Sequence, residues 1–213
     1  MKTISFTKCF FLYLFLGAVG ILSSFLAGKV FDISDKSGVF CGKIIVFIVL
    51  IFFFRKMSFS FGIKKMEFLK SLKYLSVMFL IGIVTALIFA FLKTHGIYSL
   101  SVQSFVADLS EIEIVIYSFV LIIIGPAQEE LFFRRLFYRS LRDKYKISKA
   151  VFLGGIIFGL VHFINIQAFI MTTVLGIYFC YVFEKERNTL LNIFLHSLMN
   201  LSIFSAEIYL LYK

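Results

Sequence analysis

The chain has 213 residues, of which 61% are hydrophobic, 16% are charged and 30 are Phe, with a formal net charge of +10. An average soluble domain is about 45–50% apolar and about 25% charged, so this composition excludes a water-soluble globular enzyme, a disordered chain and a secreted disulfide scaffold. The basic residues lie between apolar runs and not on one polar face, which points to membrane topology and away from nucleic acid as a partner.

A membrane-crossing helix needs about 20 apolar residues, and the runs that qualify, in chain order, are 9–28, 39–54, 74–92, a stretch from 112 onward, 148–164, 166–183 and 189–212. The first follows Lys2 and Lys8 and is long for a signal peptide, so it reads as an uncleaved span. The second is short and holds Lys43 near one end, where the side chain can snorkel to the interface. The polar stretches between runs are too short to bury a core of their own. The expected fold is therefore all-α: a polytopic transmembrane helical bundle of about seven spans, forming one membrane domain over 1–213. Cys9, Cys41 and Cys180 lie in or beside apolar runs and read as small buried hydrophobes. Gly154, Gly155 and Gly159 are expected to let helices approach closely.

Lys and Arg alternate by segment. Two (Lys2, Lys8), six (55–73), seven (134–149) and two (Lys185, Arg187) fall on one side; two (Lys29, Lys36), one (Lys93), none (163–168) and one (Lys213) fall on the other, which is 17 against 4 with Lys43 unassigned. This bias puts the N-terminus in the cytoplasm and the basic segments against an anionic inner leaflet of the cell membrane.

Ionisable groups inside a bilayer are costly and call for a functional reading. Few are present. Glu129 and Glu130 follow Gly125-Pro126-Ala127-Gln128, with Arg134 one turn on; His162 lies one turn after Phe158, and His196 one turn before Asn200. At about 1.5 Å of rise per residue, Glu129, His162, His196 and Asn200 all sit roughly 14–20 Å from the basic ends of their helices. Glu130 and Arg134 are i and i+4 and can pair. Glu129 is rotated about 100° from Glu130, leaving it free to face a cavity. Interhelical glue is the competing reading for each polar group, and most of all for Glu130 with Arg134. His95, in an outer loop, has no such setting.

The motifs Glu-Glu-x-x-x-Arg at 129–134, Phe-x-x-x-His at 158–162 and His-x-x-x-Asn at 196–200 closely resemble those of the CAAX prenyl protease and bacteriocin-processing (CPBP, or Abi) family of intramembrane proteases. The resemblance covers about 112–204, which makes these the catalytic-motif helices and 1–111 the variable N-terminal ones. Arg135 is a departure, since many members have Gly there; its expected effect is on helix packing or the cytoplasmic entrance. The resemblance implies an intramembrane endopeptidase in which Glu129 and His162 activate water and His196 and Asn200 stabilise the oxyanion, with Glu130 and Arg134 in support. It implies a peptide or membrane-protein substrate beside the lipid bilayer. A divalent metal such as Zn²⁺ on Glu129, His162 and His196 is the alternative to a metal-free glutamate mechanism, and the residues do not choose between them. A non-catalytic binding protein on the same scaffold, serving bacteriocin immunity or regulating a sensor kinase, is the alternative function. The Arg-rich segment 134–149 is expected to attract an acidic C-terminus or a phosphate-rich surface through Arg135, Arg139 and Arg142.

Overall fold

The computed structural model describes residues 4–31, 34–95 and 106–213. Among the described residues the chain forms seven helices and no strand: α1 (Phe6–Phe31), α2 (Asp35–Lys56), α3 (Phe68–Thr94), α4 (Glu111–Arg142), α5 (Ile147–Val161), α6 (Ile166–Glu186) and α7 (Thr189–Leu211). Six are long and apolar enough to cross a membrane. Their outward faces carry large apolar side chains such as Phe25, Leu87 and Ile123, a surface suited to contact with lipid. This is a multi-pass membrane protein.

The expected fifth span, 148–164, is shorter than the sequence indicates. α5 has 15 residues, or about 22 Å of helix, against a hydrocarbon core of about 30 Å. It stops at His162, and Asn165 opens α6 by accepting a hydrogen bond from the Ala168 backbone N–H at 2.8 Å. The α5–α6 hairpin therefore turns back at the depth of the motif histidine. Its two helices pack backbone to backbone, since a Cβ on Gly155 would lie 2.7 Å from the Ile177 backbone nitrogen and one on Gly159 would lie 3.0 Å from the Phe169 carbonyl oxygen. The glycines that the sequence marks for close packing have that role.

α1 and α2 form a second close hairpin. A Cβ on Gly38 would come within 2.7 Å of the Ser24 carbonyl oxygen, and one on Gly42 within 2.7 Å of that of Gly20, so the small-residue stripe Gly20, Ser24, Gly28 meets Gly38 and Gly42. This hairpin leans on α4 through aromatic contacts, with the Tyr13 ring 5.4 Å from Phe132 and the Phe6 ring 5.2 Å from Phe137. On another face α3 inserts Met78 among Leu175, Tyr178, Phe179 and Val182 of α6 and Leu191, Leu195 and Met199 of α7. Cys9 and Cys180 are buried apolar packing; Cys41 is only partly covered.

The segments read as one side of the membrane meet at one end of the bundle. Asn188 exchanges hydrogen bonds of 3.1 Å with both backbone groups of Lys64, and the Tyr74 hydroxyl donates to Glu186 at 2.7 Å. Arg142 and Arg187 both pair with Glu184, at 3.2 and 2.8 Å. Lys2 lies outside the described residues. At the far end, Glu113 closes a capping box with Ser110 and also accepts from Ser34 and Ser37 of the α2 N-terminus, at 2.5 and 2.7 Å.

The basic segment does not behave as a free electrostatic funnel. Arg135 is buried and donates from Nε to the Ser60 carbonyl at 2.6 Å, and Arg142 donates to the Tyr145 carbonyl at 2.7 Å besides its ion pair. Arg135 also fills the space over Gly62, whose φ of +67° suits glycine. The departure at Arg135 is thus a staple between α4 and the 57–66 connection, and the steering role loses two of its three arginines.

Candidate active site

α4 owes its shape at the site to one residue. Pro126 has no backbone N–H, and the Gly125 N–H reaches back five residues to the Val120 carbonyl, making Val120–Ile124 π-helical. The Leu121 carbonyl thereby loses both of its ordinary helical donors. The Asn200 side-chain amide replaces them at 2.9 Å. A second π-helical stretch runs over Glu130–Tyr138, directly after the motif acid, in keeping with the tendency of widened turns to occur at functional sites.

Four motif side chains converge across α4, α5 and α7. Glu129 Oε2 lies 3.4 Å from His162 Nε2 and 3.8 Å from His196 Nε2. Each imidazole is fixed through its other nitrogen. His162 Nδ1–H donates to the Phe158 carbonyl at 2.8 Å, and His196 Nδ1–H donates to Glu130 Oε1 at 2.9 Å. Carbonyl and carboxylate oxygens only accept, so both rings, when neutral, turn an Nε2 lone pair toward Glu129. Glu129 Oε2 is buried and accepts no hydrogen bond from the described residues.

Glu130 has a different job from its neighbour. It is fully buried, pairs with Arg134 at 3.1 Å, accepts from His196 on the same oxygen, and receives the Asn192 amide at 3.3 Å on the other. Arg134, also fully buried, stacks its guanidinium 4.2 Å from the Phe158 ring centroid and 5.2 Å from that of Phe179. These same two rings flank His196, at 6.0 and 5.3 Å. A charge pair in so apolar a box is stable only while both members remain. Its structural effect is to aim His196.

Asn192 is absent from the sequence-derived set. It also donates to the Phe179 carbonyl at 2.9 Å, tying α7 to α6 beside the acid. Its signal is periodic: Asn192, His196 and Asn200 form one i, i+4, i+8 stripe on α7. His95 is remote from this cluster, capping the far end of α3 by donating to the Phe91 carbonyl at 2.9 Å.

Residues 111–202, which contain all of these groups except those of α1–α3, match the family model of the type II CAAX prenyl endopeptidase Rce1-like proteins. Over those residues the chain is similar to the CAAX prenyl protease and bacteriocin-processing family. The Bacillus subtilis (strain 168) protein named "Putative membrane peptidase YdiL" is 30% identical over 78 residues, which are 37% of this chain and 32% of that protein. The match thus spans about a third of that relative's length. No solved structure matches the chain.

The family's motif residues do not form a metal cage here. Among the described residues no group of three or more His, Cys, Asp or Glu side chains is arranged to hold an ion, and Glu130 is committed to Arg134, His196 and Asn192. Asn200 carries two N–H donors and spends one on Leu121. Its replacement by alanine strands that carbonyl at a cost of about 1–3 kcal/mol, measurable as a lower unfolding temperature in detergent. Unchanged stability would assign the Leu121 carbonyl another donor.

Proposed function

We propose that this protein hydrolyses a peptide bond of a membrane-associated protein or peptide precursor, with Glu129 as general base. The observation that carries the reading is the meeting of Glu129 Oε2 with two oriented imidazole Nε2 atoms at 3.4 and 3.8 Å. In this scheme Glu129 takes a proton from water while the water oxygen bonds to the scissile carbonyl carbon. The carbonyl oxygen becomes an oxyanion beside α7, where Asn200 has an N–H to donate and His196 donates from Nε2 when its ring is protonated. The C–N bond then breaks, and the proton passes from Glu129 to the leaving amine. His162, locked by the Phe158 carbonyl, shares the water. Buried acceptors and donors of fixed direction act strongly in a dry site.

The test is cleavage of a panel of membrane-anchored peptides by the purified protein in nanodiscs, with product termini read by mass spectrometry. The metal-free scheme expects cleavage that a chelator leaves unchanged. Abolition by chelator, restored by Zn²⁺, would overturn that scheme. Absence of cleavage across the panel, with Glu129→Gln and His162→Ala retaining the wild-type phenotype in cells, would make the protein a binding module on the same scaffold.

A further inference from the structure

Arg135 and Arg142 are spent inside the protein, but the lysines that follow them are not. An open cleft of about 900 Å³ lies at the basic end of the bundle, where the 143–146 turn joins α4 to α5 beside Tyr181 of α6. Lys144 and Lys146 stand on its walls and are exposed. Two further ammonium groups stand at its tyrosines: Lys149 Nζ is 4.5 Å from the Tyr145 ring centroid, and Lys185 Nζ is 5.8 Å from that of Tyr181. None of these four lysines makes an ion pair among the described residues. An ammonium resting on an aromatic face keeps its charge and has N–H donors to spare.

The rest of the cleft decides what those cations can hold. Arg142, a fifth cation on its wall, is already matched by Glu184 and tied to the Tyr145 carbonyl, at 3.2 and 2.7 Å, which fixes the turn. Asp143 is the one carboxylate on the wall, and it lies within electrostatic reach of Arg139. The surplus of lysines therefore attracts an anion. Ile147 and Tyr181, 49% and 46% exposed, put apolar surface in the same cleft, and Phe152, 57% exposed, stands next to the cleft's Val151 on α5. A free anion has no use for that surface. Basic groups, a tyrosine and an apolar helix face running inward match the three layers of an anionic phospholipid: phosphate, glycerol backbone and acyl chain.

We infer that this cleft is a binding site for one anionic phospholipid, with Lys144 and Lys146 on the phosphodiester and the acyl chains against α5. The cleft is at the opposite end of α5 from His162, and the inference does not depend on the peptidase reading. Its test is native mass spectrometry of the intact protein in neutral detergent, titrated with dioleoyl phosphatidylglycerol or dioleoyl phosphatidylcholine. Wild type is expected to retain one phosphatidylglycerol at least about tenfold more tightly than phosphatidylcholine. A lysine near an anionic surface supplies a factor of about five, so Lys144→Gln with Lys146→Gln should weaken phosphatidylglycerol binding about 20- to 30-fold and leave phosphatidylcholine unchanged. Lys144→Arg with Lys146→Arg should keep the preference. So should Lys56→Gln with Lys73→Gln, which removes the same charge from exposed positions elsewhere at that end of the bundle.

Equal retention of the two lipids by wild type, or a preference that survives Lys144→Gln with Lys146→Gln, would overturn the inference. An equal loss in the Lys56→Gln with Lys73→Gln variant would replace the site by a diffuse field and also overturn it. Inorganic phosphate that displaces the lipid at equal concentration would assign the cleft to a free anion. Hexaglutamate bound through the same two lysines, without any lipid preference, would assign it to an acidic peptide. Either result overturns the lipid assignment, and failure of peptide cleavage bears on none of them.

Discussion

Replacing His162 by alanine is expected to lower kcat for peptide cleavage by about 10²–10⁴-fold, the usual worth of a positioned acid–base group. Its Nδ1 is fixed on the Phe158 carbonyl and its Nε2 stands 3.4 Å from Glu129, so the ring and the carboxylate share one proton path. Groups that act as a unit are far from additive. The double variant His162→Ala with Glu129→Gln should therefore be little slower than the worse single one. Independent, multiplying losses would mean that the two side chains serve separate steps. The fold should survive His162→Ala, because the ring stays partly exposed and lies outside the apolar core clusters.

Glu130→Gln should do the opposite and damage stability first. It removes the charge that balances Arg134, which is fully buried between Phe158 and Phe179. Breaking a buried pair from one side costs about 3–5 kcal/mol. The same change loosens His196, whose Nδ1–H donates to Glu130, and Asn192, whose amide does likewise. Pairing it with Arg134→Met should recover much of the stability, because the stranded cation is gone and a methionine fits the aromatic box. Thermal unfolding of the two single variants and the double variant yields the coupling. If Glu130→Gln unfolds with wild type, the pair is not what holds α4 to α7.

Much of this architecture is legible in the sequence because the bilayer allows few solutions. Backbone groups in lipid must be satisfied within helices, so each apolar run has one fate and the helices fall close to the runs. The convergence of Glu129, His162 and His196 is readable for a related reason: polar groups are scarce, and a fixed rise per residue converts chain position into depth. α5 is shorter than its apolar run because apolar length alone does not reveal that the helix ends at Val161 and that Asn165 caps the next one.

What the sequence hides depends on contacts between distant segments. Asn200 reads as an oxyanion donor, but Pro126 and Gly125 together free the Leu121 carbonyl that it satisfies. Asn192 shares the stripe of His196 and Asn200, but its role shows only once Phe179 and Glu130 are seen on either side of it. Arg135 looks like a solvated basic residue beside others of its kind, whereas the 57–66 connection folds over it and offers the Ser60 carbonyl. The start of α2 departs from the expected run for a simpler reason. Ser34 caps α2 through the Ser37 N–H five residues before the apolar run begins, and the helix therefore extends past the expected boundary.

The most direct test of the central claim compares wild type with Glu129→Gln in nanodiscs, at matched unfolding temperature, on one membrane-anchored peptide with its products identified by mass. The proposed chemistry predicts a single new C-terminus from wild type and almost none from Glu129→Gln. The same product appearing from Glu129→Gln at the wild-type rate would contradict it.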